Sequence, residues 1–484
     1  MLRIQKNLKP AFFALLSLPA TAMGFALSVQ ISALSWILST KYHLRIDEVG
    51  LVWAAGPLAG IFGQVIIGLI SDKAWFWGGR RRPFIWIGGI LAGLMLLALP
   101  NIDIISQGMG FEGILGVAIA VALTLDLAIN VSFNPTRSVI ADVTPEGTLR
   151  TKGYTWMQTV SGTISVGAYV IGAIWDNYTL IYAGAILVFL LSAIPPFFIE
   201  EPRQLGGEES SDRKATTGGL SEALAAIRPL WGFLFYAVYG IFSRLSHIVV
   251  PGHLVEWLSI FATLLLFIQA LRKKEPADGS PTLVGFHKVL AAHSFTWIGI
   301  QTMFVYMFAY VQDKMPGLDD TNAGRVVSVS FLILNAVGAV LPATILQPLT
   351  QRIGRVRTHY VSIGSMALVY AGIGLLGHSP MALYLLMALL GIGWAATVSL
   401  PFAIMSQKVD QARMGLYMGL FNLSVVLPQL VASLGIGQAI SQAADKNLIF
   451  GLCAATLAIS AISWIFVAEP ANRVEGDQPP ASGH

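Results

Sequence analysis

A single cysteine, Cys453, stands in a chain of 484 residues, inside an apolar run. One thiol can build neither a disulfide framework nor a Cys-based metal site. Charge is also scarce: Asp, Glu, Lys and Arg together make 12% of the chain, where an ordinary soluble domain carries roughly a quarter. That shortage, with 55% hydrophobic residues, excludes a water-solvated globule and marks a membrane protein. The formal net charge of +4 is no nucleic-acid footprint, because the basic residues lie in short gaps between apolar runs rather than along one face. Acids are rarest inside the runs, where Asp126 is the main one. A membrane-embedded enzyme, which wants a cluster of His, Cys or carboxylates, is therefore the weakest reading.

Long apolar runs are what the chain has in plenty. Its basic start, Arg3, Lys6 and Lys9 before AFFALLSLPATAMG, imitates a secretory signal, but apolar residues continue to about Leu38. Such a run is too long for a signal core and long enough to cross a bilayer with tilt. At about 20 apolar residues per span, runs fall near 10–38, 50–71, 83–100, 113–141, 153–175 and 179–199, then 230–250 and 253–271, then 288–311, 322–349, 358–377, 380–406, 414–437 and 445–468. The order six, two, six predicts an all-α membrane protein of fourteen transmembrane helices. Its parts are a six-helix bundle over 1–200, a cytoplasmic linker over 201–228, an inserted helix pair over 229–272, a second linker over 273–287, a second bundle over 288–470 and a cytoplasmic tail over 471–484. With both termini cytoplasmic, most of the 30 Lys and Arg fall in cytoplasmic segments and the outer loops hold only Lys41, Arg45 and Lys314. That asymmetry favours this orientation over its inverse.

The two sets of six echo each other. GGRRRP (78–83) in the first matches QRIGRVR (351–357) in the second, and the fourth runs carry Asn134-Pro135-Thr136 and Leu400-Pro401-Phe402. Parallel repeats of six helices build one large class of secondary transporters, in which substrate is held between the halves near the bilayer midplane.

GLISDKAWFWGGRRRP (68–83) resembles the loop motif G-x-x-x-D-R/K-x-G-R-R of the major facilitator superfamily, with Gly68, Asp72 and Lys73 in place and a longer spacer before Gly79, Arg80, Arg81 and Arg82. The resemblance implies a latch in which carboxylate and guanidinium groups pair across the halves when the cytoplasmic side is shut. Asp142 and Arg150, at the cytoplasmic end of the fourth run, join it. Positive-inside anchoring alone would explain the arginines but neither the aspartate nor the glycines. AGPLAGIFGQVIIGLISD (55–72), LDLAINVSFNPTRSVIADV (125–143), VSLPFAI (398–404) and GLFNLSVVLPQLVASLG (419–435) look like the sucrose/proton symporters of the glycoside-pentoside-hexuronide:cation branch, and the chain looks like a bacterial relative. The resemblance covers both bundles and leaves out 230–271. It implies that the pattern D-V-A-N-N-x-x-x-G-P-x-R falls on Asp126, Asn130, Pro135 and Arg137, with Asp126 as the proton site; Ile129 and Asn134 depart from the pattern.

The residues support part of this by themselves. Asp126 lies midway along its run, where an uncompensated carboxylate costs roughly 2.5–3.5 kcal/mol on insertion scales, so it must face a cavity or a partner. Positions 126, 130, 134 and 137 share one helical stripe. A sugar site needs hydrogen-bonding groups and a flat apolar face. Mid-run residues that meet the need are Gln30, Gln64, Asn130, Gln158, Trp297, Gln301, Trp394, Asn422 and Gln429. Interhelical bonding competes for the amides, and core packing or a lipid belt for the indoles. The expectation is a proton-coupled importer of a glucoside disaccharide such as sucrose or maltose. It would work by alternating access as a monomer in the bacterial inner membrane, with no cofactor, metal or nucleic acid. Export of amphipathic compounds and sodium coupling are the alternatives. The inserted pair, with no counterpart in the resemblance, is expected to pack on the lipid-facing outside.

Overall fold

Backbone N–H and C=O groups in lipid must be satisfied within the protein, so apolar runs of this length become helices. The computed structural model describes residues 3–61, 75–110, 113–145, 148–203, 220–246, 248, 250–276, 281–409 and 414–469. The first half holds α1 (Pro10–Thr40), α2 (Ile46–Trp53, helical again over 55–61), α3 (Arg82–Ala98, continued to Gly108), α4 (Ile114–Val143), α5 (Thr148–Ile174) and α6 (Asn177–Ala193). A hairpin of α7 (Trp231–Ser246) and α8 (Leu254–Arg272) follows. The second half holds α9 (Leu283–Lys314), α10 (Asp320–Leu341), α11 (Arg355–Leu376), α12 (Pro380–Ser406), α13 (Met414–Val431, continued to Gln442 through a π-helical turn) and α14 (Asn447–Trp464).

Among the described residues, twelve helices are long and apolar enough to cross a membrane. Two of the fourteen expected runs stand outside that set. Run 50–71 does so because 62–74 lie outside the described residues. Run 230–250 yields α7, a helix of 16 residues, whose rise of about 24 Å falls short of the roughly 30 Å hydrocarbon core. Val250 has extended backbone before Pro251, as a residue preceding proline prefers, so Ile248 and Val250 lie outside the helices.

The halves repeat each other's packing. α1 packs on α5 and α6, and α3 on α4 and α6; correspondingly α9 packs on α13 and α14, and α11 on α12 and α14. The start of α1, the end of α14 and the turns at 78–82 and 352–357 lie at one end, here the basic end. The α1–α2 and α13–α14 turns lie at the far end.

Hydrogen bonds between the halves gather at that far end. Ser32 and Ser328 share a bond of 2.7 Å, Ser35 Oγ donates to Val305 O at 2.8 Å, and Trp36 Nε1 donates to Asp320 O at 2.8 Å. Arg325 Nη2 donates to Trp175 O at 2.7 Å. Gly324 lets α10 approach the Trp36 indole, since a Cβ there would lie 2.9 Å from Cδ1. The basic-end ion pairs of Arg81 with Asp142 and of Lys408 with Glu275 each stay on one side of the molecule. Among the described residues the halves pack together at the far end and part toward the basic end.

The hairpin sits on the flank of the second half. Phe233 of α7 and Phe267 of α8 both meet Phe295 of α9, with ring centroids 5.9 and 4.8 Å away. Its other face leaves Phe235, Phe242, Trp257 and Phe261 exposed.

Candidate functional site

Near the top of the parting, beneath the far-end seal, lies the acid in the middle of α4. Asp126 is 6% exposed, and Gln30 of α1 donates from Nε2 to its Oδ2 at 3.0 Å. Gly56 faces the same carboxyl, where a Cβ would stand 3.3 Å from Oδ2. Among the described residues no cation pairs with Asp126. A carboxylate so placed bears most of its desolvation cost without a compensating cation among the described residues. Gln30 precedes the sealing Ser32 by two residues on α1, so this pair lies directly below the closure.

Along the stripe toward the basic end, Asn130 Nδ2 donates to the Asp126 backbone O at 2.8 Å. Arg137 is exposed, its guanidinium 4.6 Å from the Phe133 ring centroid. Eleven residues of helical rise, about 16 Å, separate it from Asp126. The side chain of Asn134 lies outside the described residues.

The second half answers with indoles. Trp297 of α9 and Trp394 of α12 are half-buried and meet edge to face, with centroids 6.4 Å apart. Trp394 Nε1 donates to Asn335 Oδ1 at 3.3 Å, and Phe304 stands edge-on to Trp394 at 5.6 Å. Trp297 is held from behind: its Nε1 donates to His293 Nε2 at 2.9 Å, and the His293 ring stacks on Phe421 at 4.9 Å. Sequence reasoning missed His293 and Asn335, although His293 stands four residues before Trp297 on the same helical face. Gln301 is buried one turn below Val305, whose carbonyl takes the Ser35 bond, which places it at the depth of Gln30. Asn422 and Gln429 are half-buried on α13, and Gln158 is exposed on the basic-end part of α5. Of the sugar-site residues read from sequence, direct contact joins Trp297 to Trp394, and Gln30 to Asp126. Gln64 lies outside the described residues.

At the basic end, Gly68 and Asp72 also lie outside the described residues, as does the side chain of Arg150. The latch pairing expected of Asp72 therefore falls outside the described residues. Arg81 pairs with Asp142 of its own half: Nε lies 3.0 Å from Asp142 Oδ2, with side-chain exposures of 8% and 10%. The backbone N–H groups of Arg80, Arg81 and Arg82 all donate to the Glu201 carboxylate at 2.7–2.8 Å. Open N–H groups and the positive end of the helix dipole make the start of α3 a carboxylate site. Gly79 is needed there, since a Cβ would lie 2.8 Å from Glu201 Oε1. The second half repeats the device: Arg355 and Val356 donate their N–H groups to Glu469 at 2.5 and 3.0 Å, beside Gly354 with φ +92. Sequence reasoning missed both glutamates. Their signal was a Glu-Pro pair just after the sixth run of each half, Glu201-Pro202 and Glu469-Pro470. A third acid, Glu275, bonds Lys408 at 2.7 Å and lies 3.5 Å from Lys288, fastening the segment after the hairpin to the second half.

A superfamily profile described as Major Facilitator Superfamily matches residues 16–433. The chain belongs to the Major Facilitator Superfamily. It is thus a multi-pass membrane transporter and not an enzyme. Among solved structures, this major facilitator is similar in fold to the nucleoside transporter NupG (TM-score 0.62, 13% identity, 94% of this chain and 98% of that one). It is also similar to the inward open xylose transporter XylE from E. coli (TM-score 0.61, 13% identity, 96% and 97%). Among curated relatives it is 25% identical to sucrose transport protein SUC4 of Arabidopsis thaliana, over 84% of this chain and 80% of that protein. It is 26% identical to sucrose transport protein SUT2 of Oryza sativa subsp. indica, over 86% and 85%. A shorter match of 28% identity joins 32% of this chain to 31% of the general alpha-glucoside permease of Schizosaccharomyces pombe.

Proposed function

We propose that this major facilitator imports a glucoside disaccharide of sucrose or maltose type together with one proton carried by Asp126. The observation that carries the reading is the pairing of an isolated, buried carboxyl, Asp126 with Gln30, in one half with a half-buried indole pair, Trp297 and Trp394, in the other. Pyranose rings offer C–H faces to indoles and hydroxyl edges to amides, and Gln301, Asn422 and Gln429 supply amides on the indole side. The names of the relatives point to the same cargo class.

In this reading the basic end faces the cytoplasm, as the Lys and Arg distribution favours, in a plasma membrane with both termini inside. The far-end seal then makes the structure the cytoplasm-open state. Opening the far end exposes Asp126 to outside protons. Closure over sugar is cheap only with the carboxyl neutral, because enclosing a bare anion in a low-dielectric interior is costly. Opening to the cytoplasm lets water in past Arg137 along the stripe toward Asp126 and lets the proton go. Arg137 is too far along α4 to neutralise Asp126 directly. The protein works as a monomer and needs no cofactor beyond the coupling proton.

Counterflow in proteoliposomes with labelled sugars tests the cargo. Sucrose or maltose should exchange, while a free nucleoside or a dipeptide should not. Exchange of the nucleoside or dipeptide without any disaccharide would end the proposal.

A further inference from the structure

Away from the parting between the halves, the hairpin and the far end of α13 enclose a second cavity of about 340 Å³. Its polar lining includes Tyr236, Tyr239, Ser243, Arg244, His253 and Glu256. Arg244 is pinned at this wall by backbone carbonyls: Nη1 donates to Gly240 O at 3.2 Å and Nη2 to Leu434 O at 2.9 Å. Those bonds use two of the five guanidinium N–H groups. Glu256 meets His253 Nδ1 at 3.6 Å through Oε1, while its Oε2 is buried without a hydrogen-bond partner. Arg244 and Glu256 line one cavity and yet form no ion pair with each other among the described residues. A fixed cation and a half-satisfied anion, held apart across one space, call for a ligand that is itself a dipole of charges.

The place in the fold narrows the ligand. The cavity lies where α7 ends and α8 begins, on the flank of the molecule, with Phe242, Ile248, Leu254 and Trp257 exposed around it. Tyrosines and tryptophan at a helix end facing lipid belong at the headgroup level of a bilayer. A phosphate suits the free N–H groups of Arg244. A primary ammonium suits Glu256 Oε2, because that oxygen needs an N–H donor. A quaternary ammonium has no N–H, and a glycerol headgroup has no cation.

We propose that this cavity binds a phosphoethanolamine group, phosphate on Arg244 and ammonium on Glu256, supplied by an aminophospholipid of the far-end leaflet. The site is independent of the sugar reading, for it lies outside the helices that carry Asp126 and the indoles.

The test is native mass spectrometry of the purified full-length protein, titrated with phosphatidylethanolamine, phosphatidylcholine and phosphatidylglycerol of matched chains. Wild type should retain phosphatidylethanolamine roughly tenfold better than the other two, the scale of one charge-assisted hydrogen bond. Glu256→Gln, nearly isosteric, should erase that preference while leaving sugar counterflow intact. Arg244→Gln should weaken all three lipids. Should Arg244→Gln fail to fold for want of its two carbonyl bonds, Glu256→Gln alone decides. Soluble phosphoethanolamine that competes at millimolar concentration would make the headgroup sufficient; selective lipid retention without such competition would make the bilayer the source. Equal retention of the three lipids by wild type, or a preference unchanged in Glu256→Gln, overturns the proposal.

Discussion

The coupling role proposed for Asp126 carries a number. Asp142 is paired with Arg81 at the basic end, whereas Asp126 has Gln30 as its hydrogen-bonding side chain. With Asp126 as the one proposed proton site, one proton would accompany each sugar. A pH step of one unit is worth about 1.4 kcal/mol per proton, so with the membrane potential clamped at zero the ceiling on sugar accumulation is roughly tenfold per unit. Asp126→Asn keeps an oxygen for the Gln30 N–H and removes the proton. Its accumulation ratio should fall to about one at every imposed gradient, while counterflow exchange persists, because exchange needs only a neutral group at this position. The assay is steady-state uptake of labelled disaccharide in proteoliposomes across a series of pH steps, wild type beside mutant. A wild-type ratio well above tenfold per unit would require a second proton site, and accumulation by Asp126→Asn would remove this one.

Three further outcomes are expected. Trp297→Ala should raise the KM for disaccharide about tenfold or more, on the scale of losing an aromatic contact surface; His293→Gln should preserve KM by keeping an acceptor for Trp297 Nε1, whereas His293→Leu should raise it with an unchanged melting midpoint. Glu201→Gln and Glu469→Gln should each cost about 1–2 kcal/mol of stability, the scale of a lost helix cap, and combine additively because the caps sit in separate halves; differential scanning fluorimetry reads both, and two neutral variants would refute the caps. In a Cys453→Ala background, Ser32→Cys with Ser328→Cys, whose hydroxyls now lie 2.7 Å apart, should cross-link on oxidation and stop net uptake until reduced. Continued uptake through the cross-linked protein would mean that the far end need not open.

The helical runs, their grouping by six and the deep acid were legible because each is local: an apolar stretch of fixed length, a repeated turn, one charge out of place. Partners were not. Glu201 reaches residues 119 to 121 positions away, and nothing around it except the following proline distinguishes it from Glu200. The end of α7 at Ser246 was hidden for a related reason, since hydropathy counts Ile248 and Val250 as span, whereas the structure leaves both outside the helices, Val250 extended before Pro251. Conformation was beyond reach altogether. The serines and tryptophan of the far-end seal are ordinary helical residues in sequence, and only their meeting across two halves shows which end is shut.

What the repeats share and what they do not divides the work of the transporter. Both halves cap a Gly-Arg helix start with a glutamate that follows their sixth helix, so the scaffold at the basic end is duplicated. The first and fourth helices of each half also form the contacts that matter in the parting, but with different chemistry. In the first half they bring together Gln30 and Asp126, nine residues before Pro135; in the second they bring together Trp297 and Trp394, seven residues before Pro401. One half therefore offers a buried carboxyl bonded to an amide and the other an apolar pair of indoles. Alternating access moves the halves largely as bodies about a fixed site. Under the proposed function, a sugar seated on the indoles and reaching toward Asp126 would span that moving boundary, so the state of the carboxyl would act on closure through the cargo itself. Coupling would then need no relay through the protein, only the requirement that both walls be neutral and occupied before the halves close.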